Sequence, residues 1–335
     1  MTAKPALIDS FGRRIEYLRV SVTDRCNYRC FYCMPRAGVQ FENAASLLDN
    51  NELARLIRLF SDLGVRRVRL TGGEPLVRRH LVALAGMISE LPGIEDLSLS
   101  TNGHLLERYA ASLKQAGVQR VNISLDSLDP ALFARITHGG DLHAVQRGID
   151  AALAVGMQPV KLNMVVMQGI NDHEIESMLD FAVAQGADLR YIETMPVGPQ
   201  ADESRDHHYP AALILERLRR HAGADLIPVG GSIGCGPARY YQVGASPVKL
   251  GVISAVSRHF CDDCNRVRLT AQGDLVLCLG RHDRVSLRET MRCGCTDEML
   301  KTMIHAAVMK KPERHDFQNA ASGSVVLIPM SALGG

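Results

Sequence analysis

The sequence predicts an α/β fold: an incomplete (β/α)6 barrel of parallel strands, with a smaller C-terminal α+β region closing its open side. Three observations carry this expectation. Strand-like and helical segments alternate six times, most of the helices stop at a glycine, and the strand segments place apolar and polar side chains at alternate positions. Strands alternating with helices mark βα units with parallel strands and right-handed crossovers. Six units fall short of the eight that close a barrel.

The first strand covers residues 17–23. Beyond a cysteine-rich loop, Asp49 to Asn51 offer N-caps, Leu53, Leu56, Ile57, Phe60 and Leu63 recur at helical spacing, and Gly64 stops the helix. Strands follow at 65–71 and 96–101, and helices ending near Gly117, Gly156 and Gly186 lead into strands at 121–124, 160–166 and 189–194. Successive strand residues point to opposite faces. One face is apolar, through Leu18, Val20 and Val22, Val68 and Leu70, Leu97 and Leu99, Val121 and Ile123, Val160 and Leu162. The other carries Tyr17, Arg19 and Ser21, Arg69 and Thr71, Ser98 and Ser100, Asn122 and Ser124, Lys161 and Asn163. A closed barrel of eight strands fills its interior with branched apolar residues, so a polar inner face implies a ligand chamber inside an incomplete, TIM-like barrel. The sixth strand does not alternate cleanly, and the pattern leaves its facing open. Residues 202–210 read as a polar loop with solvated His207 and His208, ahead of a helix over 213–221. Glycine enrichment at 228–236 sets the expected division, residues 1–228 for the barrel and 229–335 for a C-terminal domain.

Composition narrows the function class. With 335 residues, 46% of them hydrophobic, the chain can bury a large core. The segment from Met1 to Ala6 has no apolar signal core, and no run nears the roughly 18 apolar residues of a membrane span. A cytoplasmic location without membrane contact is expected. Lys plus Arg at 38 against Asp plus Glu at 36 gives no basic excess of the kind that marks nucleic-acid binding. Nine cysteines, most in two spaced groups, suit metal binding in a reducing compartment better than a disulfide framework.

The first group is Cys26-x3-Cys30-x2-Cys33. Three thiolates so close can fill three corners of a cubane iron–sulfur cluster and leave one iron open. Spacing alone also admits a zinc site short of a ligand, or buried apolar cysteines. Thr71-Gly72-Gly73-Glu74-Pro75 closes the second strand, at the end where such folds keep their active sites. Two glycines let backbone approach a ligand closely, and a carboxylate accepts from an ammonium. Together these stretches resemble the signature of radical S-adenosylmethionine (SAM) enzymes. The resemblance implies a [4Fe-4S] cluster on Cys26, Cys30 and Cys33 whose open iron chelates SAM and whose electron releases an adenosyl radical. It also implies that Tyr32 packs on adenine, that Gly73 and Glu74 hold the methionyl amino group, and that Ser124 and Met195 contact SAM.

The second group is Cys261-x2-Cys264-x13-Cys278, whose spacing suits zinc as readily as iron, with Cys293-x-Cys295 available for a fourth ligand. The run Cys264-Asn-Arg-Val-Arg-Leu-Thr270, together with Leu18-Arg-Val-Ser-Val-Thr-Asp-Arg-Cys26, resembles the GTP 3′,8-cyclases of molybdenum cofactor biosynthesis, over residues 11–335. That resemblance implies a second [4Fe-4S] cluster on Cys261, Cys264 and Cys278 whose open iron binds guanine, with Cys293 and Cys295 as bystanders. Cys235, between two glycines, stands where the family has a polar residue and has no physical account. Arg266 and Arg268 are two apart, on one face of an extended segment, and their planar forks suit phosphate oxygens. The resemblance arranges Arg19, Arg69, Ser100, Lys161, Arg266 and Arg268 around GTP, with catalytic roles for Arg19, Arg266 and Arg268. Alternation had already put Arg19, Arg69 and Lys161 on the polar face. Ser100 replaces a threonine and keeps its hydroxyl. The tail Met330-Ser-Ala-Leu-Gly-Gly335 has the family's double-glycine end, which is implied to enter the chamber, although Leu333 replaces isoleucine.

The implied reaction is radical cyclisation of GTP to 3′,8-cyclo-7,8-dihydro-GTP, the ribose 3′ carbon attacking carbon 8 of guanine. Implied partners are an electron donor and a downstream enzyme that makes cyclic pyranopterin monophosphate; a homodimer is left open. Two rivals are weaker on the sequence. A peptide-modifying radical SAM enzyme with auxiliary clusters needs more C-terminal cysteines, and a non-catalytic iron–sulfur or zinc protein gives Gly-Gly-Glu-Pro and a polar chamber no purpose.

Overall fold

The computed structural model describes residues 6–35, 41–222, 226–229, 236–315, 317 and 330–334. Helix ends leave backbone groups unpaired, and the sequence supplies caps for several of them. Asp49 opens the helix Asn50–Asp62 with a reciprocal capping box, Glu52 N donating to Asp49 and Asp49 N to Glu52, each at 2.8 Å. That helix buries Leu53, Leu56, Ile57, Leu59 and Phe60 against the sheet.

The six expected strands form in order as β1 (Tyr17–Ser21), β2 (Arg67–Thr71), β3 (Asp96–Thr101), β4 (Arg120–Ser124), β5 (Val160–Val166) and β6 (Asp188–Glu193). Six more follow: β7 (Leu226–Pro228), β8 (Arg239–Val243), β9 (Lys249–Ile253), β10 (Arg266–Leu269), β11 (Asp274–Val276) and β12 (Arg284–Ser286). All twelve share one sheet, ordered β12-β11-β10-β1-β2-β3-β4-β5-β6-β9-β8-β7. The C-terminal region therefore extends the barrel at both edges: β10 runs parallel to β1 and β9 parallel to β6, each followed outward by antiparallel strands. The sheet stays open, with β12 and β7 at its two ends. One continuous sheet crosses the division expected at residue 228.

The apolar face expected from alternation is the core. Leu18, Val20, Val68, Leu70, Leu97, Leu99, Val121, Ile123, Val160 and Leu162 are buried in one cluster with the helices. Pairing settles the sixth strand. Lys161 stands opposite Asp188 and Asn163 opposite Arg190, so Arg190 joins the polar face. Tyr191 points the other way, fully buried, its hydroxyl donating to the Ile175 carbonyl.

Two local expectations are corrected. Residues Ala201–Asp206 form a short helix where a loop was expected, with Asp202 and Glu203 in its first turn and Arg205 in its last, as the helix dipole favours. His207 and His208 are half-buried rather than solvated: His207 Nδ1 lies 3.0 Å from the Gln168 carbonyl oxygen, and His208 pairs in a bridge with Met167. Among the described residues, no helix is long and apolar enough to cross a membrane.

Candidate active site between two cysteine groups

The parallel strands deliver their polar residues into one cavity of about 1190 Å³, counting the open space at its mouth. Of the residues singled out in the sequence, Arg19, Arg69, Ser100, Ser124, Met195, Arg266 and Arg268 line it, together with Cys261, Cys264 and Cys278. Tyr32, Gly73, Glu74, Lys161 and the first cysteine group do not line it.

The first cysteine group sits on the loop that leaves β1. Gly73 N donates to the Thr23 carbonyl and Glu74 N to the Arg25 carbonyl, both at 2.8 Å. A Cβ on Gly73 would collide with the Arg25 carbonyl, and one on Gly72 would lie 2.5 Å from the Thr23 carbonyl oxygen. The close approach these glycines permit is thus to the cysteine loop itself. Glu74 is buried and joins β2 to β3: it accepts from Leu76 N (3.0 Å), Thr101 Oγ1 (2.7 Å) and Asn102 N (2.7 Å). Burial pushes its carboxyl up to about 7 despite those three bonds. Tyr32 donates to Asp126 Oδ2 at 2.6 Å, and Asp126 Oδ1 accepts from Val165 N at 2.9 Å, so the aromatic between two cysteines is fixed from β5.

These thiols suit a metal. Desolvation pushes Cys26 up to about 11, Cys33 up to about 12 and Cys30 well above its ordinary range, yet all three keep an accessible face. Thiols so placed become thiolates only against a strong positive charge, which metal coordination supplies. Among the described residues, no group of three or more His, Cys, Asp or Glu is placed to hold a single metal ion.

The second group lies in the cavity wall. Cys264 N donates to the Cys261 carbonyl at 3.1 Å in the turn before β10, and Cys278 follows β11. A residue the sequence reading passed over organises this wall. Arg13 is buried, paired with Asp9 at 2.6 Å, and donates to the carbonyls of Cys261 (2.8 Å), Pro312 (2.7 Å) and Glu313 (2.7 Å). Cys293 is exposed and Cys295 half-buried, beside Arg55 on the outer helical layer, away from the cavity. Cys235 lies outside the described residues.

Cations crowd the polar face. Arg69, Arg190 and Arg268 are buried, and Arg19 and Arg266 half-buried. Burial brings Arg69 and Arg268 down to about 10 and also lowers Arg19 and Arg190, with neighbouring arginines contributing to each shift. Among the described residues, neutral groups hold Arg69, Arg190, Arg266 and Arg268. Arg69 Nε donates to Ser98 Oγ at 3.3 Å and its guanidinium lies over Tyr17, Arg190 donates to Asn163 and Asn122, and Arg266 lies over Phe260 with a buried Nε that has no hydrogen-bond partner among the described residues. Arg268 donates to the carbonyls of Leu333 and Gly334, bringing the tail to the cavity. Gly334 has φ +75°, and a Cβ there would stand 2.5 Å from Thr71 Cγ2, so glycine is required twice over. Lys161 differs from the arginines: it is spent on Asp188 at 2.7 Å and Tyr240 Oη at 3.1 Å. Sequence reading left Arg190 off the polar face, because its strand breaks alternation.

Residues 20–182 match the radical SAM superfamily, and residues 187–317 match the molybdenum cofactor synthesis C family. The chain is 52% identical to the GTP 3′,8-cyclase of Hydrogenovibrio crunogenus over 98% of its own length and 100% of that protein's. It is 47% identical to the GTP 3′,8-cyclase of Caulobacter vibrioides, covering 100% of this chain and 95% of that one. The chain belongs to the GTP 3′,8-cyclase family. As a GTP 3′,8-cyclase family member it is a radical SAM enzyme that uses SAM and iron–sulfur clusters. Its fold is also similar to a crystal structure of Streptococcus suis SuiB bound to S-adenosylmethionine, with a TM-score of 0.62 at 15% identity over 93% of this chain and 76% of that one.

Proposed function

We propose that the chamber binds GTP between a SAM-cleaving cluster on Cys26, Cys30 and Cys33 and a second cluster on Cys261, Cys264 and Cys278. The chain catalyses radical SAM cyclisation of GTP to 3′,8-cyclo-7,8-dihydro-GTP, the first step of molybdenum cofactor biosynthesis. When bound, the first cluster supplies the electron that cleaves SAM to an adenosyl radical, and the second an open iron for guanine.

The observation that carries this reading is a set of arginines inside the barrel, four of which (Arg69, Arg190, Arg266 and Arg268) have no carboxylate partner among the described residues. A buried charge left without a counter-charge costs several kcal/mol. A triphosphate removes that cost, since its oxygens match the guanidinium fork in charge and geometry. Arg19, Arg69, Arg266 and Arg268, joined by Arg190, hold the triphosphate and ribose, and Ser100 adds a hydroxyl from β3. Lys161 reaches the substrate only by releasing Asp188. On the SAM side, Ser124 and Met195 face the cavity, Tyr32 is fixed by Asp126 to receive adenine, and Gly73 offers its carbonyl beside Glu74. Enclosure by the tail and the C-terminal strands excludes water that would quench the radical and aligns the ribose with it. Residues 1–228 make the radical, and residues 229–335 supply the substrate-side cluster. The reaction takes an electron from a donor in the cytoplasm and hands its product to an enzyme that forms cyclic pyranopterin monophosphate.

Anaerobic incubation of the iron-loaded protein with GTP, SAM and dithionite should give 5′-deoxyadenosine and the cyclised nucleotide in step, both dependent on GTP. Cleavage of SAM with GTP recovered unchanged would overturn the reading.

A further inference from the structure

The second cysteine group is assembled from chain segments far apart in sequence, and two buried cations tie them together. Arg13 binds the carbonyls of Cys261, Pro312 and Glu313. Lys311, at the start of that same segment, donates from Nζ to the Leu277 carbonyl at 2.6 Å, one residue before Cys278. The segment 311–313 is thereby fastened to both halves of the group.

Lys311 does more than close a hydrogen bond. It is 2% exposed, lines the cavity, and has no carboxylate paired with it among the described residues. Arg13 has Asp9 for a counter-charge; Lys311 has none of that kind. A buried ammonium without an anion is costly, and the anions available beside it are the sulfurs of the cysteine group. Lys311 shares the cavity wall with Cys261, Cys264 and Cys278.

We propose that Lys311 is the fixed counter-charge of the second cysteine group, a positioning residue that helps retain the cluster there and raises its reduction potential. The inference rests on a cluster being held by Cys261, Cys264 and Cys278. A fixed positive charge stabilises the thiolates over the thiols, and the reduced cluster, one charge more negative, over the oxidised one.

The test uses full-length protein in which Cys26, Cys30 and Cys33 are alanine, so that only the second group is read. In that background Lys311→Met should bind clearly less iron than its parent, and the cluster that remains should reduce at a more negative potential by EPR-monitored titration. Lys311→Arg, which keeps the charge, should restore both. Lys311→Gln serves if the methionine variant fails to fold, as judged by circular dichroism. Unchanged iron and unchanged potential in the neutral variants would overturn the inference, as would a loss confined to GTP affinity, which would make Lys311 a substrate contact. Alanine at Cys261, Cys264 and Cys278 separates the underlying assignment: if those changes leave the iron content of the same background untouched, the cluster assignment has failed, whatever Lys311 does.

Discussion

Arg268→Ala should reduce GTP-dependent 5′-deoxyadenosine formation by roughly two orders of magnitude while leaving iron content and SAM binding unchanged. Its guanidinium donates to the carbonyls of Leu333 and Gly334 and lines the cavity with no carboxylate to neutralise it among the described residues. Hydrogen bonds from a charged donor contribute about 1.5–3 kcal/mol each, and two of them account for the loss. Arg268→Lys should recover little, because a single ammonium cannot reproduce a planar fork. Deleting Gly334 and Gly335 should mimic the defect, and a synthetic peptide ending in Ser-Ala-Leu-Gly-Gly should restore part of it. The measurement is 5′-deoxyadenosine per enzyme at matched iron loading. Full activity in Arg268→Ala would leave the tail an ordinary terminus and the arginine a spectator.

The second large effect separates the two cysteine groups. With Cys261, Cys264 and Cys278 changed to alanine, iron should fall from roughly eight per chain to roughly four, one cubane lost of two. Cyclised product should disappear, while some SAM is still cleaved to 5′-deoxyadenosine. The first group lies on the β1 loop, anchored through Gly73 and Glu74. Normal GTP turnover in the triple variant would refute the division of labour.

Much of this was legible in the sequence, and the misses have physical causes. Period-two alternation identified the polar face because both faces of a parallel sheet are covered, so an inward polar residue must serve something. The sixth strand escaped that logic. Within Arg190-Tyr-Ile-Glu193, polar and apolar residues fall on both faces, and only pairing with β5 shows Arg190 inward. Alternation gave Lys161 the right face but not its partner, since Asp188 reaches it from the neighbouring strand. Lys311 left no local signal, its acceptor being a backbone carbonyl 34 residues away, and the spacing of Arg13 from Asp9 does not reveal that the same arginine holds the Cys261 carbonyl 248 residues away. Sequence alone does not show that the Gly-Gly pair also lets the backbone of the cysteine loop come close.

The central claim is that the chamber presents the GTP ribose to the radical made at the first cysteine group. GTP carrying deuterium on its ribose 3′ carbon tests this most directly. After anaerobic turnover with SAM and reductant, the account predicts that the 5′-deoxyadenosine gains one deuterium, in step with nucleotide cyclised. Unlabelled 5′-deoxyadenosine alongside cyclised product would contradict it.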